Sequence, residues 1–264
     1  MWWAITTKCM PTSSSKVQTV QMLSQKVTFI EFKDGEQLAT HLASRIQQIL
    51  QRAVEGQGQA GLVVSGGTTP IRFFRQLSRR DLPWEHITII PADERWVAPH
   101  HPDSNENLIR SHLLQHKASA ARFIGLKNSA RTAAEGVAEC ERRLAAFPAP
   151  PEATVLGMGL DGHTASLFPH SHGLEAALDL DSGSTCAAIC PTTAPHDRIT
   201  LTLPFLLSSR HLFLHLEGKD KRRVYTKALA DGDSSSMPVR LILSRADKPV
   251  TVYWAPAETD SDPR

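Results

Sequence analysis

Residues 61–77 read Gly61-Leu62-Val63-Val64-Ser65, then Gly66-Gly67-Thr68-Thr69-Pro70, then Ile71-Arg72-Phe73-Phe74-Arg75-Gln76-Leu77. A short apolar run rich in β-branched residues, a paired-glycine turn and a helix-period segment reaching about Arg79 make one strand-loop-helix unit, with Pro70 suited to the first helical turn. The same alternation extends both ways. Upstream, residues 27–32 predict a strand and residues 36–54 a helix, with Leu38, Leu42, Ile46, Ile49, Leu50 and Ala53 on one face. Downstream, residues 86–92 predict a third strand, and Ser104 is placed to cap a helix running through Leu108, Ile109, Leu113 and Leu114. Residues 130–147 predict an amphipathic helix that turns Ala133, Ala134, Val137, Ala138, Leu144 and Ala145 inward and is ended by the proline-rich residues 148–151. Residues 154–158, 185–189, 199–203, 211–216 and 250–254 predict strands, and residues 219–230 a helix carrying Val224, Tyr225, Ala228 and Leu229. Residues 238–244 read equally as a strand or a short helix.

Strands alternating with helices through glycine-containing loops imply an α/β fold: a mainly parallel, doubly wound, Rossmann-like sheet with helices on both faces. Ligands of such sheets sit at the carboxyl ends of the strands. Residues 27–258 read as a single α/β domain. Residues 1–26, with their Pro-Thr-Ser-Ser-Ser tract at 11–15, read as a flexible extension, and residues 259–264 as a polar tail.

Composition narrows the function classes. Of 264 residues, 41% are hydrophobic and 21% charged, which excludes disordered and collagen-like chains. Lys plus Arg number 29 against 27 Asp plus Glu, so no charge excess points to nucleic acid or to an anionic membrane surface. No apolar run approaches the ~18 residues of a membrane span, and the N-terminus lacks the charged and apolar regions of a signal peptide. Cys9, Cys140, Cys186 and Cys190 are too few for a disulfide framework, so a reducing compartment, the cytoplasm, is expected.

Three predicted strand-end loops hold the residues suited to chemistry. In Ser65-Gly66-Gly67-Thr68-Thr69-Pro70, paired glycines uncover backbone N–H groups and the hydroxyls add donors, which suits a phosphate. A plain tight turn is an equal reading, and no Lys-Ser/Thr follows at Walker A spacing. In Pro91-Ala92-Asp93-Glu94-Arg95-Trp96, followed by Pro102-Asp103-Ser104-Asn105, three charges at the end of a buried strand are expected on the sheet rim. Arg95 there suits phosphate or carboxylate; a structural Asp–Arg pair is the other reading.

The third loop, Gly157-Met158-Gly159-Leu160-Asp161-Gly162-His163-Thr164-Ala165-Ser166, contains G-x-G-x-x-G, with Asp179 and Asp181 about where a ribose-binding acid would fall. Pro169 follows too closely for a crossover helix, so a dinucleotide site is rejected. What remains is His163 in a strand-end loop, two residues after Asp161, available for proton transfer near neutral pH. A fourth feature is Gly218-Lys219-Asp220-Lys221-Arg222-Arg223 at a helix start. Lys219, Arg222 and Arg223 suit a solvated face, and Lys221 is the better anion ligand. His100 with His101, and Cys186 with Cys190, lack partners at metal spacing, and neither Ser65 nor Ser166 lies in G-x-S-x-G.

These loops together resemble the 6-phosphogluconolactonase family, hydrolases of the oxidative pentose phosphate pathway. The resemblance runs through the glycine loop, Asp93-Glu94-Arg95 with Asp103-Ser104-Asn105, residues 157–169 ending Leu167-Phe168-Pro169, Arg198-Ile199-Thr200-Leu201-Thr202, and Gly218 to Lys221, covering about residues 27–255. It implies hydrolysis of 6-phospho-D-glucono-1,5-lactone, with His163 as general base and Asp161 orienting it or stabilising its charged form. Gly66, Gly67, Thr68, Asp93, Arg95 and Lys221 would fall on the substrate, Arg95 and Lys221 holding the phosphate, and Arg198 would reach the same anion or brace the loops. It implies no metal or organic cofactor, and it is compatible with a monomer or weak homodimer and a functional link to glucose-6-phosphate dehydrogenase. Glucosamine-6-phosphate deaminases look similar but carry an acidic residue five positions after the motif histidine, where this chain has Phe168. Sugar-phosphate-sensing domains of transcription regulators share the fold, but residues 1–26 are too short and polar for their DNA-binding domain.

Overall fold

In the computed structural model, which describes residues 27–257, seven of the apolar segments align into one sheet. Its order is β1 (Val27–Glu31), β10 (Val250–Ala255), β9 (His211–Glu217), β6 (Ala153–Leu156), β2 (Ala60–Val64), β3 (Ile87–Pro91) and β5 (Arg122–Phe123). Every pairing is parallel. The expected extension at 1–26 and tail at 259–264 lie outside the described residues.

Both faces of this sheet are covered, as continuous apolar strands require. Along β9, Leu212, Leu214 and Leu216 enter one core while Phe213 enters the other. The helix α1 (Gly35–Gln57) lays Leu38, Leu42, Ile46 and Leu50, all fully buried, on the Phe213 side with Phe73, Phe74 and Leu77 of α2 (Ile71–Leu77). Each such side chain contributes about 1.5–3 kcal/mol of transfer free energy. Asp34 caps α1 by accepting from the Gln37 N–H at 2.8 Å, and Gly58, left-handed at φ 76°, ends it. Ser104 caps α3 (Asn105–His112) as its sequence position predicts.

Three differences from the sequence expectation have physical causes. The segments expected as further strands of the parallel sheet, β7 (Cys186–Ile189) and β8 (Arg198–Leu201), instead form an antiparallel three-stranded sheet with β4 (Asp93–Arg95). Periodicity reports that a strand is buried, not which sheet it joins. Leu203, expected to close β8, starts α6 (Leu203–Leu207), where Pro204 fits the first turn. In α4 (Ala133–Leu144) the buried stripe is Ala133, Gly136, Cys140 and Leu144, whereas Ala134, Ala138 and Ala145 are exposed. Alanine is too small to mark a face, and the inner stripe includes a glycine and a cysteine. The helix is also shorter than the expected 130–147, with Thr132 as its N-cap. Residues 238–244, open to two readings, contain α8 (Val239–Arg245), whose Val239, Ile242 and Leu243 are buried at helical spacing. The short helix α5 (Leu174–Leu178) and α7 (Lys219–Leu229) complete the α-helices among the described residues.

Strand order places the site. From β2 the chain moves outward through β3 to β5, and from the adjacent β6 it moves the opposite way through β9 to β10. The connections therefore part between the carboxyl ends of β2 and β6, opening the crevice that doubly wound sheets use for ligands. The small sheet stands beside it, because β3 runs on through Ala92 into β4 with Ala92 N–H still bonded to Val64 O at 2.8 Å.

Candidate active site

A cavity of about 470 Å³ occupies that crevice, within the size range of small-molecule sites. Its wall includes the residues singled out as catalytic or phosphate-binding except Asp161, which reaches it through His163.

The glycine loop leaves β2 at Ser65, whose N–H donates to Val155 O (2.9 Å) and whose Oγ accepts from Gly157 N–H (3.0 Å), tying the loop to the end of β6. Gly66 is dictated by close approach: a Cβ there would lie 1.8 Å from Asn105 Oδ1. Gly67 has φ 86°, a conformation that favours glycine. Gly67 and Thr68 are exposed on the cavity wall.

Of the three charges of β4 expected on the rim, Arg95 is half-buried at the cavity wall, whereas Asp93 and Glu94 are buried. Asp93 is 6% exposed and Glu94 is fully buried. Glu94 accepts the N–H groups of Arg95, Asn105 and Glu106, each at 2.7 Å, and the Ser104 hydroxyl at 3.0 Å. Burial pushes its carboxyl above the ordinary range, with these hydrogen bonds pulling the other way. Glu94 thus anchors α3 to the small sheet. Asp93 accepts from Ser166 Oγ (2.5 Å) and from Asn105 Nδ2 (3.2 Å).

Arg95 and Arg198 face one another in the β4–β8 register. Arg95 Nη1 donates to Asp103 O, and Arg198 Nη2 donates to Pro195 O at 2.9 Å. Burial lowers the Arg198 pKa from its ordinary value, Asp93 opposing and Arg95 adding to the effect. Across the cavity, Lys221 in the first turn of α7 donates to Met158 O. Burial lowers its pKa as well, and Asp161 acts against that. Three cationic side chains from different elements thus line one cavity, where an anion would relieve their mutual repulsion.

The 157–169 loop is wound tightly around His163. Its backbone O accepts from Gly159 N–H (2.8 Å), and Gly162, with φ 83°, donates to Gly159 O (3.1 Å). Asp161 Oδ1 accepts from the His163 backbone N–H (3.1 Å) and lies 2.6 Å from Nδ1. A carboxylate can only accept, so this contact assigns the proton to Nδ1 and leaves the Nε2 lone pair free. Burial raises the Asp161 pKa, but the hydrogen bonds and charge of His163 outweigh it, and the carboxyl is held below its ordinary value. Phe168 packs against the imidazole at a tilt of 32° with ring centroids 4.1 Å apart, and the Arg198 guanidinium lies 5.6 Å from the Phe168 centroid.

Several contributors escape a reading of the sequence. His215 lines the cavity from the middle of a strand, Ser166 and Asn105 hold Asp93, and His196 Nε2 bonds Asp103 Oδ2 at 3.1 Å beside the opening. The alternation along β9 puts His215 on the face of Phe213, opposite Leu212, Leu214 and Leu216, the one signal the sequence carries for it.

The sequence profile of the "Glucosamine-6-phosphate isomerases/6-phosphogluconolactonase" family matches residues 33–254. The chain is 42% identical over 225 residues to a 6-phosphogluconolactonase of Rhizobium meliloti, covering 85% of this chain and 97% of that protein. It is 43% identical over 218 residues to one of Pseudomonas aeruginosa, covering 83% and 90%. A crystal structure of a 6-phosphogluconolactonase from Shewanella baltica superposes with a TM-score of 0.85 at 46% identity, covering 88% of this chain and 98% of that one. A monomeric glucosamine-6-phosphate deaminase, 19% identical with a TM-score of 0.69, shares the fold.

Proposed function

The chain belongs to the glucosamine-6-phosphate isomerase/6-phosphogluconolactonase family as a lactone hydrolase, a 6-phosphogluconolactonase, and on that premise we propose that His163 is its general base and Asp161 the residue that orients it. The observation that carries this reading is the 2.6 Å contact between Asp161 Oδ1 and His163 Nδ1, which turns Nε2 into the free base.

The substrate is a sugar-phosphate lactone, 6-phospho-D-glucono-1,5-lactone, a step of the pentose phosphate pathway. Nε2 of His163 takes a proton from water as the water oxygen attacks the lactone carbonyl. The tetrahedral intermediate collapses, the bond from C1 to the ring oxygen breaks, and the imidazolium returns its proton to that oxygen. The new carboxylic acid loses its proton to solvent, leaving 6-phosphogluconate. Asp161 stays ionised throughout and stabilises the imidazolium. The loop N–H groups of Gly66, Gly67 and Thr68, with Arg95, Arg198 and Lys221, hold the phosphate, so binding energy remote from the carbonyl fixes the reacting atoms. Asp93, clamped by Ser166 and Asn105, balances Arg198. Phe168 supports hydrolysis over amine chemistry, because an apolar ring packs on His163 where deaminases place an acid.

Residues 27–258 act in this reading as one catalytic unit, a monomer or weak homodimer, with a functional link to the glucose-6-phosphate dehydrogenase that makes the lactone. Among the described residues Cys140, Cys186 and Cys190 are free thiols, which supports a cytoplasmic location. The test is proton release from freshly generated lactone with the spontaneous rate subtracted. His163→Ala is expected to lose about 10²–10⁴ in kcat. Hydrolysis that survives in the folded variant removes His163 from the role of base.

A further inference from the structure

His215 is a buried ionisable group for which the hydrolytic scheme has no use. It lies on β9, 3% exposed, and its ring shares the cavity wall with Ser65, Gly66, Phe74 and Lys221. Neither Nδ1 nor Nε2 has a hydrogen-bond partner among the described residues. Glu217 Oε1, 3.4 Å from Nε2, is unpaired in the same way. Behind it, Arg72 Nη1 donates to Glu217 Oε2 at 3.2 Å. Arg72, Glu217 and His215 therefore form a chain of charge from the first turn after the glycine loop to the cavity wall.

The surroundings of the ring are otherwise apolar or neutral. Phe73 of α2 meets it edge-on with centroids 6.4 Å apart, and β10 places Tyr253 at the matching register position. The end of β2 brings Ser65 and the loop after β6 brings Gly157, while α1 brings Gly35, whose Cβ position is 3.2 Å from Glu217 Cδ. The charged groups facing it are Glu217 from its own strand, Arg72 from α2 and Lys221 from α7 across the cavity. Buried polar groups are normally paired, and a leucine at this strand position would spare the fold the desolvation of an imidazole. A carboxylate behind an imidazole favours one proton on the near nitrogen and stabilises the ring when a second is added.

We propose that His215 is a further cationic contact for the substrate's phosphate. Glu217 accepts the Nε2 proton, and the ring takes a second proton from solvent on Nδ1 as the anion enters, donating it to a phosphate oxygen. This deepens the sugar-phosphate reading of the cavity and rests on it.

Inorganic sulfate, a tetrahedral dianion that does not titrate near neutral pH, is the probe. Calorimetry in two buffers of different ionisation enthalpy reads its affinity and the protons taken up with it. Wild type is expected to take up a proton on binding sulfate. His215→Leu is expected to lose that uptake, to weaken sulfate about tenfold or more and to raise KM for the lactone by a like factor, with kcat within about threefold. Its Tm should be no lower than wild type. Glu217→Gln, which keeps the ring, is expected to reduce the uptake and serves if the leucine variant does not fold. Sulfate affinity or proton uptake unchanged in the folded His215 variant overturns the inference. If sulfate binds with His215-dependent uptake while wild type fails to hydrolyse the lactone, the inference stands and the lactonase reading falls.

Discussion

Replacing Gly66 by alanine tests whether close approach, rather than backbone freedom, dictates the glycine loop. The added methyl would sit 1.8 Å from Asn105 Oδ1 and 2.7 Å from Nδ2, and Asn105 is 3% exposed. Its amide has nowhere to withdraw without releasing Asp93, to which Nδ2 donates twice, at 2.8 Å to the backbone O and 3.2 Å to Oδ1. Two net hydrogen bonds plus the desolvation of a buried group left unpaired amount to about 2–4 kcal/mol. For a chain of this size that lowers Tm by roughly 5–15 °C. Denaturant melts of Gly66→Ala, Asn105→Ala and the double variant give the assay. Asn105→Ala removes the same bonds and leaves room for the methyl, so the double variant should resemble it, with a coupling of at least about 1 kcal/mol. A Gly66→Ala variant within about 0.5 kcal/mol of wild type, or strictly additive effects, would refute the reasoning.

Asp161→Asn keeps the shape of the side chain but offers an N–H to Nδ1, moving the imidazole proton to Nε2; kcat for the lactone should fall about 10²–10³ with KM little changed, by steady-state hydrolysis. An undiminished kcat removes Asp161 from the mechanism. The folded pKa of Asp161 is depressed, so its contribution to stability is present above the ordinary carboxylate value of about 4 and fades as pH falls through the lower folded value. Melting temperatures of wild type and Asp161→Asn should therefore converge as pH falls through the ordinary carboxylate value of about 4 and below it; a gap that widens with acid contradicts the assignment. At Gly159, a Cβ would lie 2.1 Å from His163 Nδ1 and 2.5 Å from Asp161 Oδ1. Gly159→Ala should displace both and cost about 10² in kcat while the far-ultraviolet circular dichroism stays native.

The alternation of apolar runs and helical stretches from Val27 onward makes the parallel sheet and most helices legible, because burial on both strand faces and on one helix face writes two distinct periods. The second sheet is not written that way. Whether the strand at Cys186 pairs with Arg198–Leu201 or with the main sheet depends on where β4 lies, and Asp93-Glu94-Arg95 has the composition of a surface turn. Glu94 is hidden from sequence reasoning for the same reason. Its burial is offset by four donors, three of them backbone N–H groups that no residue type announces. The loop carrying Asp161 and His163 is legible because both residues and the glycines that shape it are contiguous. His215 is not, since Arg72, which pairs with the adjacent Glu217, lies 145 positions from it and the sequence neighbours of His215 read as ordinary core.

Strand β1 pairs in parallel with β10, its sheet neighbour, from Val27 opposite Val250 to Glu31 opposite Trp254. On the ribosome, the first strand made among the described residues therefore waits for the last. At roughly 5–20 residues per second, the intervening stretch takes at least about ten seconds to synthesise, and Val250 clears the exit tunnel later still. Until then β1 exposes an unmatched row of backbone donors and acceptors, the kind of edge that recruits foreign strands. The final zipping of this sheet waits for β10 to emerge, and nascent chains stalled before β10 would be clients for chaperones even with the catalytic loops already made.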